Sequence, residues 1–215
     1  MLLTLNDVQY NIPEKWNQVS IENYQKFMLN HDDKQDDYTK TLNIISSFTG
    51  VPFKELEQCK KSDIDKIDKV LSKLLDDKIK EELNLIITID DIEYGFHPNL
   101  KDLTFGEFVD LDNYLLKPIE NLHLILAVLY RRIKSRNNKK YKIENYDSTE
   151  CVKNAKIFKE KLSVSTAQSA SSFFLLIGKQ LQKNLQSSLE KKKKKKTLIH
   201  TIPNYNLIKS GVGTA

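Results

Sequence analysis

Ile87-Thr88-Ile89-Asp90-Asp91-Ile92-Glu93-Tyr94 is the stretch on which the reading of this chain turns, because it occurs twice. Leu3-Thr4-Leu5-Asn6-Asp7-Val8-Gln9-Tyr10 precedes it at a separation of 84 residues, the distance from Thr4 to Thr88 and from Tyr10 to Tyr94. The correspondence runs on without a gap, setting Ile12 on Phe96, Trp16 on Leu100, Val19 on Leu103, Ser20 on Thr104, Ile21 on Phe105, Tyr24 on Phe108 and Phe27 on Leu111. β-Favouring residues on either side of Asn6-Asp7 or Asp90-Asp91 predict a β-hairpin in each copy. An extended Pro-containing segment follows, since proline fixes its own φ and disfavours helix at the residue before it. Ser20 or Thr104 then opens a helix, its side-chain oxygen placed to accept from an amide of the first turn. We read an internal duplication of a hairpin-helix unit.

Outward from these units the apolar spacing predicts more helices. In the first copy Leu42, Ile44, Ile45 and Phe48 make one, ended by Gly50. Pro52 begins a short one, and Ser62 caps a longer one with Ile64, Ile67, Val70, Leu71 and Leu74 on its inner stripe. In the second copy Phe105, Phe108, Leu111 and Leu115 mark a core-facing helix, followed by the apolar run Leu122 to Tyr130. Of these, Tyr24, Phe27, Phe108 and Leu111 are read as structural. Ser148 or Thr149 starts a helix through Leu162, and the small polar stretch 163–172 reads either as a linker or as a closely packed helical turn. The expected fold class is α+β and helix-rich: two hairpin-helix units plus a long basic C-terminal helix and an extended or disordered tail. The expected organisation is 1–84 for the first repeat, 85–147 for the second, 148–196 for the helical region ending in lysines, and 197–215 for the tail.

Charge divides the chain more sharply than its net +5 suggests. Residues 121–215 hold 20 Lys and Arg against five acids, net +15, which leaves −10 for residues 1–120. A basic half of this kind meets an anionic surface, whether nucleic acid, an acidic protein or the acidic half of another copy. The copies diverge where the basic run Arg131 to Lys142 appears, and that divergence marks the expected specialisation. Candidate partner or anion contacts are Arg131, Arg132, Lys134, Arg136, Lys139 and Lys140, with Lys191, Lys192, Lys193, Lys194, Lys195 and Lys196. Lysine carries charge without the planar fork that reads bases, so nucleic-acid contact here is expected to be sequence-independent and salt-sensitive.

Signatures of catalysis are sparse. Gly211-Val212-Gly213 has no helix after it, so it is no dinucleotide fingerprint. His31, His97, His123 and His200 are scattered, with no zinc-site spacing, and no serine lies in a nucleophile elbow. The carboxylates around His31 to Asp37 lack the turn glycine and distal glutamate of a calcium loop. Two acids distant in sequence are the enzymatic arrangement left open. The reading is a non-enzymatic protein without cofactor or metal. Cys59 and Cys151 are too few for a disulfide framework and suit a reducing compartment. Phe173 to Ile177, the most apolar run, is far short of the roughly 20 residues that cross a bilayer, and the start lacks a signal-peptide pattern, so a soluble cytoplasmic protein with no membrane partner is expected.

Four stretches carry a family resemblance: Ile12-Pro13-x-x-Trp16-x-x-Val19-Ser20-x-x-x-Tyr24-x-x-Phe27; Phe48-Thr49-Gly50-Val51-Pro52-x-x-x-Leu56; Tyr94-Gly95-Phe96-x-Pro98-Asn99-Leu100 through Asp110-Leu111; and Asn121-Leu122-His123 with Leu129-Tyr130-Arg131. Together, over most of residues 8–178, they resemble small morphogenesis proteins of large tailed bacteriophages that infect Bacteroidetes, including crAss-like phages. The resemblance implies a tail or virion assembly chaperone or adaptor that binds other phage virion proteins in the host cytoplasm. Its alternatives are an integral virion component, such as a connector or internal cargo protein, and a non-specific nucleic-acid-binding packaging accessory. A homo-oligomer is compatible with each. The motifs are packing and capping motifs, and no catalytic residues come with them.

Overall fold

The computed structural model describes residues 1–5, 8–30, 34–78, 83–138, 140–170 and 172. Strands β1 (Leu2–Leu5) and β2 (Val8–Asn11) form a two-stranded antiparallel sheet, and β3 (Ile86–Ile89) and β4 (Ile92–Phe96) repeat it in the same register. Leu3 faces Tyr10 and Thr4 faces Gln9 as Ile87 faces Tyr94 and Thr88 faces Glu93. The second turn is made by Asp90 and Asp91, with φ of 50° and 62°. Both lie in the left-handed region that a two-residue hairpin of this hand requires and that aspartate tolerates. The first turn, Asn6-Asp7, lies outside the described residues.

The duplication extends through the next elements. A single 3-10 turn at Trp16–Gln18 recurs at Leu100–Asp102, and helix α1 (Ile21–Asn30) recurs as α5 (Phe105–Leu115). The Ser20 hydroxyl accepts from the Asn23 amide at 3.2 Å, and Thr104 forms a full capping box with Glu107. Helices α2 (Asp37–Thr49), α3 (Phe53–Leu56) and α4 (Lys61–Asp76) complete the first copy. Gly50 takes φ 76° at the end of α2, as the sequence predicts. Helix α4 begins one residue before Ser62 and carries no side-chain cap, which corrects the capping expected there.

In the second copy α6 (Leu122–Leu129) stops at Leu129, and Tyr130 opens strand β5 (Tyr130–Asn137) instead of closing the helix. The basic run thus becomes a hairpin with β6 (Lys140–Ile143), extending the sheet in the order β3-β4-β5-β6, all antiparallel. Helix α7 (Ser148–Lys161) follows, starting at Ser148 as the sequence predicts and capped by Asp147, whose carboxylate accepts from the amides of Thr149 and Glu150. Residues 164–170 form a further helical segment, so the small polar stretch is packed structure and no linker. The molecule is α+β and helix-rich. The long basic helix and the tail expected after it lie outside the described residues.

Each copy has its own aromatic core. Ile12, Trp16, Val19, Leu42, Ile45, Phe48 and Leu71 are buried together in the first, with Val164 of the distant 164–170 segment among them. Trp16 meets Phe48 edge-on at 6.1 Å and donates its indole N–H to the Asp77 carbonyl at 2.9 Å. In the second, Tyr94 meets Phe158 at 5.0 Å and Phe96 meets Tyr130 at 5.2 Å, both edge-on. Burying each such side chain stabilises the fold by roughly 1.5–3 kcal/mol. Helix α5 breaks the parallel between the copies. Leu111 is buried as expected, but Phe108 is 57% exposed and Phe105 is 82% exposed, whereas Ile21, the counterpart of Phe105, is 0% exposed. The structural role expected of Phe108 is corrected accordingly.

Candidate functional site: a cleft along the basic hairpin

Strands β5 and β6 hold six basic residues, Arg131, Arg132, Lys134, Arg136, Lys140 and Lys142, and no acid. Strand geometry and packing send these residues to different environments. Arg131 stands opposite Gly95 of β4 and turns inward, with 6% of its surface exposed. Its Nη2 lies 2.5 Å from Glu107 Oε1, and the other carboxylate oxygen accepts the Thr104 amide at 2.6 Å. Glu107 therefore caps α5 and neutralises a buried arginine. The guanidinium meets Oε1 off the hydrogen-bond direction, so the pair is an ionic contact, and Arg131 Nε has no hydrogen-bond partner among the described residues.

His97 completes this interior group. The Asn99 amide donates to its Nδ1 at 3.3 Å, which puts the ring proton on Nε2, 3.5 Å from Glu107 Oε1. Burial holds the imidazole below its ordinary pKa, against the pull of the Glu107 carboxylate. Cys151 lies in the same region and donates its thiol to the Ala127 carbonyl at 3.3 Å. Burial pushes that thiol up to about 11, so it is held protonated and is a poor nucleophile. Nearby, the Tyr146 hydroxyl donates to the Asp110 carboxylate. The acids of α5 nearest the interior are thus engaged with an arginine and a tyrosine.

Among the other described basic residues of the hairpin, Lys134, Arg136, Lys140 and Lys142 are exposed. Lys134 and Lys140 have no ion-pair partner among the described residues, while Arg132 is half-buried. Arg136 is bridged to Glu93 at 2.5 Å and donates from Nε to the Asn138 carbonyl at 3.0 Å. Lys139 and Lys191 to Lys196 lie outside the described residues.

Arg136, Lys140 and Lys142 come together on the rim of a cleft of about 660 Å³. Leu85, Phe96, Pro98 and Tyr141 provide its apolar surface, and His97, Ser135 and Asn137 add polar groups. Arg132 and Lys134 are not part of it. Tyr141 organises the cleft: its hydroxyl donates to the Phe96 carbonyl at 2.7 Å, with the Leu85 carbonyl at 3.2 Å, tying β6 back onto the first hairpin of its copy. The ring fits because β4 has a glycine, Gly95, beneath it. A cleft of this size with apolar walls and a cationic rim suits an apolar side chain flanked by negative charge. The sequence pattern singled out Arg136 and Lys140, within a basic run that ends at Lys142, but missed His97 and Glu107. The available signal was Gly95, where the first copy has Asn11.

Among the described residues no cluster of His, Cys, Asp or Glu is arranged to hold a metal ion, and no helix is long and apolar enough to cross a membrane. Comparison of the chain with protein-family models, with curated proteins and with solved structures returns no match.

Proposed function

We propose that this chain is a non-enzymatic assembly protein of a tailed bacteriophage, an adaptor or chaperone that grips an acidic segment of a virion protein in the cleft along β5 and β6. The cleft is the observation that carries the reading, because it joins an apolar wall to a rim of Arg136, Lys140 and Lys142. A protein partner uses both features: apolar contact supplies affinity, and the cationic rim steers acidic segments and disfavours basic ones. The phage context comes from the sequence resemblance.

Quantitative mass spectrometry of purified particles against infected-cell lysate tests the assembly role. Abundance in lysate with absence from particles identifies a transient factor. A fixed copy number per particle identifies a virion component and overturns the chaperone form of the proposal. The six basic residues of strands β5 and β6 favour a second reading, non-specific nucleic-acid contact. That reading requires DNA affinity that falls steeply with salt and shows no sequence preference.

A further inference from the structure

The duplication allows one copy to be compared with the other inside a single molecule. At the start of α1, residues 162–164 lie antiparallel to the chain: the Ile21 amide donates to the Leu162 carbonyl at 3.1 Å, and the Val164 amide donates to the Val19 carbonyl at 2.9 Å. Ser20 and Ser163 form the bridge between them. The segment then runs on as the 164–170 helix, with Val164, Ala167 and Ala170 buried, and Ile21 is fully covered.

Among the described residues no segment takes the corresponding place on the second copy. The Leu103 carbonyl and the Phe105 amide, counterparts of Val19 and Ile21, make no hydrogen bond among the described residues. Beside them Phe105, Phe108, Val109 and Leu116 form an exposed apolar stripe at helical spacing, with exposures of 82%, 57%, 36% and 80%. So much apolar surface along one helix marks an interaction face. Exposed Asp112 falls within the stripe and has no ion-pair partner among the described residues.

We infer that this face of α5 docks a segment of a partner protein built like the chain's own residues 162–170: a short extended stretch that bridges to the Leu103 and Phe105 main chain, then a helix. That helix presents small or apolar residues to Phe105 and Phe108 and a lysine or arginine to Asp112. The site shares no lining residue with the cleft and does not depend on the cleft's role. The two surfaces select opposite partners, an acidic segment at the hairpin and a basic amphipathic one at α5. A molecule that joins two different components has this arrangement.

Selection of a displayed random-peptide library on the full-length protein tests the inference. Enriched peptides are expected to combine apolar positions at helical spacing with at least one Lys or Arg. They should lose about tenfold or more in affinity for Phe105→Glu/Phe108→Glu and keep full affinity for Lys140→Glu/Lys142→Glu. Both phenylalanines are exposed, so the double variant should fold, and its far-UV circular dichroism melt verifies this. No enrichment, acidic enriched peptides, or binding unchanged by the phenylalanine substitutions would each overturn it. So would self-association of the wild type in sedimentation that the phenylalanine variant abolishes, since the face would then belong to a second copy.

Discussion

The ring of Tyr141 lies against the Cα of Gly95, so closely that a β-carbon there would come within 2.7 Å of Tyr141 Cδ2. This contact carries the chain from a duplicated hairpin to a four-stranded sheet with a cleft. The ring crosses back to β4, and its hydroxyl reaches the Phe96 carbonyl at the far end of that strand. Asn11 occupies the matching position of the first copy, where no third strand is added among the described residues.

Gly95→Ala is therefore expected to displace Tyr141 and destabilise the protein by about 1–3 kcal/mol. In a Tyr141→Ala background the same substitution should cost much less, because the clash is gone. Urea denaturation of the two single variants and the double variant measures that non-additivity. Additive effects would show that the two residues are independent.

Removing one member of the buried ion pair leaves the other charge without compensation. Glu107→Gln or Arg131→Met should each cost about 3–5 kcal/mol. Lys140→Ala, on the exposed rim of the cleft, should stay within about 0.5 kcal/mol of the wild type. Thermal melts of the three variants separate the inward arginine from the outward lysine of one hairpin.

Acidification should weaken the fold through two histidines. Burial lowers the pKa of both His97 and His123 from 6.5. His97 accepts a hydrogen bond at Nδ1 from the Asn99 amide, and His123 Nδ1 lies 3.2 Å from the Gln25 side-chain nitrogen. The unfolded chain binds these protons more readily than the folded one. The stability is fully present above the unfolded value of 6.5 and is lost as pH falls through the lower folded values. Chemical denaturation at a series of pH values from 8 down to 5 should show the loss beginning near 6.5, with a shallower slope in His123→Gln.

Cys151 should resist alkylation in the native protein at neutral pH, since its thiol is buried and titrates at about 11. Iodoacetamide labelling followed by mass spectrometry should modify Cys151 only when denaturant is added. Native-state labelling as fast as that of a free thiol would contradict the burial.

Lys140→Glu/Lys142→Glu should abolish capture of acidic partner segments while leaving the melting temperature unchanged. If binding instead reflects nucleic-acid contact, the same variant should flatten the dependence of DNA affinity on salt, by roughly one unit of slope for each phosphate that is no longer neutralised. Titrating both ligands against both proteins distinguishes these cases.

Local rules made much of the architecture legible in the residues alone. The separation of 84 residues predicts the second hairpin from the first, down to its register, because strand pairing across a two-residue turn leaves few alternatives. Asp90-Asp91, Ser20, Thr104 and Gly50 each do what their side chain or backbone freedom allows, and each acts within a few residues of itself. Capping was less legible: Ser62, expected to cap α4, lies inside that helix, while α7 is capped by Asp147, whose carboxylate accepts two amides at once.

Burial of individual residues was decided only by the tertiary structure. Arg131 and Lys140 belong to one basic run, yet the first is drawn inside by Glu107 from a separate helix and the second stays in solvent. Nothing in the run itself distinguishes them, because the partner that draws Arg131 inward belongs to another element. Phe105 and Phe108 show the converse. Their spacing is that of a core stripe, but their counterparts are covered: residues 162–164 bridge to the chain beside Ile21, and Tyr24 packs edge-on against Trp16, while among the described residues no such bridge is made at α5. Periodicity records which side chains are apolar. Whether an apolar face is covered depends on which distant element reaches it, and a long-range contact of that kind leaves no pattern in the residues it covers.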